Sequence, residues 1–407
     1  MTRWLILADD LTGAADCAIA FAKGGLETVV AWGQGQAGEQ PVLSIDVDSR
    51  RLDAGAAAER QRLALAAHWR PGTRLYKKID STLRGQPAAE LAAQWRALAA
   101  GGSAPLAVVA PAFPATGRVT LGGRVMVDGQ RLEATALWAR DHTYAGGDLA
   151  AILGGAGLAA AGIALETVRA GVPAVRARLA RAAADGLAAV VCDAASAEDL
   201  DTVAAASLAL ERVLWVGSAG LAAALARRVC PGRRQAPALP PRDGAVLLVV
   251  GSLAEASRRQ AAEVVRSGVA QGLSVSPATL LAGPVDPAWR AAAADLRSRL
   301  DHGADVLLEL EAGDRPDLAQ GPLLAARLAD LLAAAAPAAG ALVATGGETA
   351  CALLGRLGVQ GIGLVDEVEP GVPLGLALGA RRLPVVTKAG GFGDTLTLRR
   401  CLERLKR

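Results

Sequence analysis

The sequence predicts an α/β protein of two domains, each a mainly parallel sheet flanked by helices. Three observations carry that expectation. Short apolar runs recur along the chain, each ending in a polar or glycine-rich turn and leading into an alanine-rich helical stretch. At 407 residues the chain is too long for one typical core. Residues 231–244, PGRRQAPALPPRDG, gather four prolines among polar residues and form the strongest boundary signal. The expected division is 1–232, a linker over 233–244, and 245–407.

The first apolar run, Trp4–Ala8, suits a buried strand, with Asp9 and Asp10 at its end and a helix over 14–23 opened by Thr12 and Gly13. Open α/β sheets bind ligands beyond the carboxyl ends of their strands. The two carboxylates are therefore placed to take a hydroxyl proton or hold a metal, or one of them simply caps the helix. Thr28–Trp32 reads as a second strand. Residues 33–38, GQGQAG, match the dinucleotide fingerprint by letter, yet Glu39, Gln40 and Pro41 follow where a helix must start, so the match is rejected. A third strand over 41–46 ends in Asp46, Val47, Asp48, Ser49 and Arg50, whose guanidinium suits a carboxylate.

After a helix over 54–69 comes the densest polar cluster, residues 75–85, LYKKIDSTLRG. Two lysines (Lys77, Lys78), an acid (Asp80), two hydroxyls (Ser81, Thr82) and Arg84 suit an anionic polyhydroxylated ligand, with Asp80 accepting from its hydroxyls. The apolar segments on either side argue for a loop at a strand end. The strand Leu106–Ala110 runs into 111–118, PAFPATGR, a stiff loop that presents Arg118. Residues 125–130 read as a hairpin turn, and 138–143, with Arg140 and Asp141, show no interpretable pattern. Strands over 187–192 and 213–216 follow. The second of these ends in Gly217, Ser218, Ala219 and Gly220, a turn that is either an anion site or a plain connector.

The second half uses one device three times. The strand Ala245–Val250 leads to Gly251 and Ser252; a strand over 341–344 leads to Thr345, Gly346, Gly347, Glu348 and Thr349; a strand over 385–387 leads to Lys388, Gly390, Gly391, Phe392, Gly393 and Asp394. Each turn opens a helix. Glycines at such turns let backbone N–H groups approach phosphate oxygens, and the helix dipole adds to the attraction. No GxxxxGK[ST] stretch and no HRD or DFG signature occurs, which excludes the P-loop and protein-kinase classes.

Composition removes other classes. A 52% apolar content with net charge +3 excludes disorder, and dispersed basic residues give no nucleic-acid footprint. Five scattered cysteines without a CxxC pair point to reduced thiols in a cytoplasmic protein. The uncharged run 149–165 is short of a membrane span and rich in Gly and Ala, which reads as a loop and buried helix.

The motifs ADDLTGA at 8–14, DSR at 48–50, KIDSTLRG at 78–85, APAFPATGR at 110–118, GS at 251, TGGETA at 345–350, EPGVPLG at 369–375 and KAGGFGD at 388–394 occur in one order. In this the chain resembles the four-carbon acid sugar kinases over nearly its whole length. The resemblance implies an N-terminal domain that binds a sugar acid, a C-terminal domain that binds ATP, and phosphoryl transfer across a cleft between them. It implies substrate contacts at Asp10, Arg50, Lys78, Ile79, Asp80 and Ser81. ATP contacts would fall on Ser252, Gly346, Gly347, Glu348, Thr349, Gly390, Gly391, Phe392 and Gly393. Leu253 and Ala254 depart from the small residue and second serine usual in that family, which removes a hydroxyl at 254 and leaves the backbone N–H groups.

The expected activity is Mg²⁺-ATP-dependent phosphorylation of a hydroxyl on a D-threonate- or D-erythronate-type acid or its 3-oxo derivative. Asp10 would accept the hydroxyl proton, with Asp9 as second choice. Arg50 and Lys78 would pair with the substrate carboxylate, Arg118 would join the substrate loop, and Lys388 would face the γ-phosphate. The alternative is a non-catalytic sensor of sugar acid and nucleotide. A dehydrogenase is weaker still, since only the rejected loop supports it.

Overall fold

The computed structural model describes residues 3–33, 38–102, 104–140, 142–230, 232, 239, 244–311, 320–379 and 382–407. These fall into two compact units, one reaching residue 232 and one from residue 239 onward. Residues 34–37 of the rejected fingerprint, Asp141, the side chain of Arg140 and most of 233–244 lie outside the described residues.

The strands of the first unit are β1 (Trp4–Ala8), β2 (Thr28–Trp32), β3 (Val42–Asp46), β4 (Arg74–Lys78), β5 (Leu106–Ala110), β6 (Arg118–Leu121), β7 (Arg124–Val127), β8 (Gln130–Arg131), β9 (Ala160–Ile163), β10 (Ala189–Cys192) and β11 (Val213–Gly217). β6, β7 and β8 make a small antiparallel ribbon. The main sheet runs β2-β3-β1-β4-β11-β5-β10-β9 with every pair parallel. Helices cover both faces of such a sheet, so its central strands are buried throughout and read as unbroken apolar runs. From β1 the chain first adds β2 and β3 on one side and then β4 on the other. This switch sets the carboxyl ends of β3, β1 and β4 side by side.

Helix α1 (Leu11–Lys23) begins earlier than the expected position 14. Asp10, in extended conformation, is its N-cap and accepts the Gly13 N–H, so the turn closes before Thr12. Near the opposite end of the strands, Trp4 packs against Phe21 at 5.1 Å and Trp215 at 5.2 Å, with the Arg74 guanidinium over its ring. Aromatic pairs of this kind add ~0.5–1.5 kcal/mol beyond burial and here join β1, β11 and α1. Two further helices, α2 (Ala54–His68) and α3 (Pro87–Ala100), supply the buried polar groups described below.

The second unit holds β12 (Ala245–Val250), β13 (Gln271–Val275), β14 (Val306–Leu310), β15 (Ala339–Thr345), β16 (Val359–Glu367), β17 (Pro373–Gly379) and β18 (Pro384–Lys388). Their order is β13-β14-β12-β15-β18-β17-β16, and only β17 runs antiparallel to its neighbours. Here the order switches between β12 and β15, which places the ends of β12, β15 and β18 together. The β16–β17 pair was not expected. Gly371, at φ 81°, and the Val372 N–H to Glu369 carbonyl bond of 2.9 Å make the tight connection between its two strands.

Candidate active site

Asp9 and Asp10 follow β1, and Arg50 reaches both from the turn after β3. Arg50 Nε donates to Asp9 Oδ2 at 2.6 Å and Nη2 to Oδ1 at 2.8 Å, and Asp9 is only 3% exposed. Burial alone would raise the Asp9 carboxyl, but the Arg50 guanidinium, helped by Lys78 and Lys77, holds it below its ordinary value. Asp9 is thus fixed as an anion that orients Arg50.

Asp10 is less enclosed. Its Oδ2 accepts from Arg50 Nη1 at 2.7 Å and Thr12 Oγ1 at 2.8 Å, while among the described residues Oδ1 accepts only the Gly13 N–H, at 3.0 Å. Each carboxylate oxygen has two lone pairs, so Oδ1 keeps an acceptor position open. The helix-capping and ligand-facing readings are compatible at Asp10. Arg50 uses one N–H on each nitrogen in these bonds, so a second proton remains on each terminal nitrogen, with Asp80 Oδ1 3.8 Å from Nη2.

Lys78, at the end of β4, is 5% exposed, and its ammonium lies against the first turn of α1. A Cβ at Gly13 would stand 2.6 Å from Lys78 Nζ and 2.6 Å from Asp10 Oδ1, so glycine is what admits the ammonium. Lys78 makes no ion pair or hydrogen bond among the described residues. Burial disfavours its charge, but Asp9 and Asp10 outweigh that effect and keep it protonated. The Ser81 hydroxyl likewise has no partner among the described residues. Ile79 turns its side chain into the core and bonds the Gly217 carbonyl through its N–H at 2.9 Å.

Asp80, expected to accept ligand hydroxyls, is engaged mainly by its own turn. Its Oδ2 accepts from Thr82 Oγ1, the Thr82 N–H at 3.1 Å and Arg84 Nε at 3.0 Å, and its Oδ1 from Arg84 Nη2 at 2.7 Å. Burial raises this carboxyl, yet Arg84 and Arg50 drive it well below the ordinary range. Its Oδ2 is filled by its own turn while Oδ1, with one bond, keeps an acceptor position; in that turn buried Leu83 is held at φ 59°, a costly conformation for a large side chain. Arg84, read from the sequence as part of the ligand-suited cluster, is placed by Asp80 at the same strand end. Arg118 is half-buried, with Nη1 on the Thr116 carbonyl at 2.8 Å, and feels the charges of Asp80 and Arg84.

Behind these residues lies a buried polar network. Lys77 and Glu90, 0% and 1% exposed, pair at 2.7 Å; Ser49 donates to Glu90 Oε1 at 2.6 Å; Gln61 bonds Ser49 at 3.1 Å and Gln94 bonds Gln61 at 2.7 Å. It locks the turn that carries Arg50 to α2 and α3.

Asp46 ends β3 and is 4% exposed. Burial, then the neighbouring Asp10 charge, pushes its carboxyl up to about 8, although the Asp48 N–H bonds it at 2.7 Å. A carboxyl raised on folding binds its proton more tightly in the native state. Its stabilisation is therefore complete below the unfolded pKa and is lost as pH rises from about 4 towards 8. Asp46→Asn is expected to be more stable than wild type at pH 8 by at least ~1 kcal/mol, with a narrower gap at pH 5. Urea unfolding at both pH values checks this; an unchanged gap would contradict it.

In the second unit the three glycine turns meet. The Gly346 N–H bonds the Lys388 carbonyl at 2.8 Å, a Cβ at Gly251 would overlap Thr349, and one at Gly390 would overlap Ser252. The helix Gly347–Arg356 has no side-chain cap, and its first backbone bond runs from Ala350 to Gly346, so the N–H groups of Gly347, Glu348 and Thr349 lie ahead of the helix ladder. Ser252 Oγ accepts the Ala254 N–H at 3.2 Å, so this turn holds its shape without a serine at 254. The Phe392 ring packs on Gly371. The 217–220 turn is a plain connector: Ser218 is buried, caps the helix Ala219–Val229 and donates to the Ala112 carbonyl at 3.0 Å.

Lys388 is placed otherwise than expected. It is fully buried, and its ammonium donates to the carbonyls of Ala389 at 2.9 Å and Phe392 at 3.0 Å and to Ser257 Oγ at 3.3 Å. The charge is turned into its own loop.

Two family models match the chain. A model described as a sugar-binding N-terminal domain matches residues 4–225, and one described as a nucleotide-binding C-terminal domain matches 247–398. The chain is 44% identical to a D-threonate kinase of Cupriavidus necator, over 97% of this chain and 96% of that protein. It is 38% identical to a D-threonate kinase of Bordetella bronchiseptica, over 98% and 97%. A crystal structure from Salmonella typhimurium LT2 shares the fold across 100% of both chains, with a TM-score of 0.84 at 23% identity. With both halves matched in order and the relatives aligned end to end, the chain belongs to the four-carbon acid sugar kinase family.

Proposed function

We propose that this kinase transfers the γ-phosphoryl group of ATP to a hydroxyl of D-threonate, with residues 1–232 binding the acid, 245–407 binding the nucleotide and 233–244 linking them. The observation that carries the substrate side is the grouping of an open Asp10 Oδ1, an unpartnered Lys78 ammonium and the spare N–H groups of Arg50 around one strand end. Lys78, Arg50, Arg84 and Arg118 suit the carboxylate, Ser81 a hydroxyl, and Asp10 the proton of the attacking hydroxyl. Asp9 serves as the anion that aims Arg50.

The nucleotide side rests on the glycine cradle. Side chains would fill it at Gly251 and Gly390, and N–H groups ahead of the helix ladder suit phosphate oxygens. Ser252, Gly346, Gly347, Glu348, Thr349, Gly390, Gly391, Phe392 and Gly393 are its proposed lining. Among the described residues no group of three or more His, Cys, Asp or Glu side chains is arranged to hold a metal. Mg²⁺ is accordingly assigned to the triphosphate, where it would neutralise charge with at most one or two protein carboxylates. A cytoplasmic location belongs to the same proposal; among the described residues no helix is long and apolar enough to cross a membrane.

A panel of D-threonate, D-erythronate and 3-oxo-tetronates, assayed for acid-stimulated ADP release, tests the substrate. D-threonate is expected to give the highest kcat/KM. A higher value for either competitor would overturn this assignment.

A further inference from the structure

We infer that Lys388 is a positioning residue that shapes the 389–393 loop into an anion-accepting turn and makes nucleotide affinity depend on pH. The inference rests on the nucleotide-binding reading of the second unit and goes beyond it, because it assigns the lysine to the loop and not to the phosphate.

The ammonium stands behind the loop and bonds the carbonyls of Ala389 at 2.9 Å, Phe392 at 3.0 Å and Gly390 at 3.4 Å. The helix Glu255–Arg266 continues the same clamp. Ser257 Oγ donates to the Gly390 carbonyl at 2.7 Å, and Gln260 Nε2 to the carbonyls of Phe392 at 3.0 Å and Asp394 at 2.8 Å. With four carbonyls fixed on this side, the question is where the N–H groups go. The Phe392 N–H closes a turn on Ala389 at 3.1 Å, whereas those of Gly390, Gly391 and Gly393 have no acceptor among the described residues. Gly391 faces open space and Gly390 packs on Ser252, so this loop borders the other two glycine turns. A cation that pulls carbonyls inward sets the opposite poles of the same peptides for an anion.

No carboxylate lies within ion-pair distance of Lys388 among the described residues. Burial lowers its pKa to about 8, against Cys401 of the helix Thr397–Lys406 and Glu369 of the turn after β16, which raise it. Glu369 is itself paired with Arg400. Above about pH 8 the ammonium deprotonates, its carbonyl clamp weakens, and the affinity for nucleotide falls. A terminal phosphate ionises near ~6, so the ligand's own titration is complete before this window.

The test measures ADP and ATP dissociation constants by calorimetry at pH 7 and pH 9.5 for the full chain, Lys388→Met and Lys388→Arg. Wild type is expected to weaken by ~10-fold or more on going to pH 9.5, the loss of one charge-assisted hydrogen bond. Lys388→Met should bind weakly at both values with a raised KM for ATP and an unchanged KM for the sugar acid. Lys388→Arg, charged throughout, should lose the pH dependence. A flat wild-type profile, or a Met variant that matches wild type, would overturn the role; should the Met variant not fold, the wild-type and Arg profiles still decide. Absence of nucleotide binding by wild type at either pH would overturn the reading of the second unit and this role with it.

Discussion

Asp10→Asn is expected to lower turnover at least ~100-fold, the lower range for loss of a general base, while the dissociation constant for ATP stays unchanged. The amide keeps the size of the side chain and one oxygen for Arg50 or the helix cap, so the strand-end turn should persist. What it loses is the capacity to take a proton through Oδ1, the position left open beside the Gly13 bond. Phosphoryl transfer is governed by positioning and charge, so removal of the proton acceptor should act on kcat with a smaller effect on KM. Asp9→Asn should behave differently. Asp9 clamps Arg50 through both oxygens, and its loss would free the guanidinium and raise KM for the acid. Asp10→Asn turnover within a few-fold of wild type would remove Asp10 from the base role.

Lys77→Met is expected to destabilise the protein by ~3–5 kcal/mol, because it strands the Glu90 carboxylate in the interior. Glu90 keeps the Ser49 hydroxyl at 2.6 Å, which does not compensate a buried charge. The double variant Lys77→Met, Glu90→Leu is expected to recover much of that loss, since replacing both partners leaves no orphaned charge. Urea unfolding of wild type, the two single variants and the double variant forms the cycle. A cost below ~1 kcal/mol for Lys77→Met would contradict the pairing.

The two neighbouring lysines show how far the sequence could be read. Both stood out in one polar cluster, and their chemistry was legible from it. Their separation was not, because it depends on β4 extending through Lys78. Successive residues of a strand face opposite ways, so Lys77 meets Glu90 while Lys78 meets the first turn of α1. β1, β2 and β5 were read to the residue, since buried parallel strands leave unbroken apolar runs between turn signals.

The pairings within the site lay beyond the sequence. Arg50 meets Asp9 across 41 residues, a register fixed by β1 lying beside β3. Arg84 was read as part of the ligand-suited cluster, whereas its pairing with Asp80, four residues earlier in a tight turn, was not. Lys388 opens a glycine turn in the sequence exactly as a phosphate contact would, and only the loop's backbone path shows its ammonium turned inward.

The most direct test of the account is the fate of γ-³²P from ATP in the presence of D-threonate. Label is expected in an acid-stable phosphorylated sugar acid, in wild type and at least ~100-fold more slowly in Asp10→Asn. Label released only as inorganic phosphate, at a rate indifferent to D-threonate, D-erythronate and 3-oxo-tetronate alike, would contradict it.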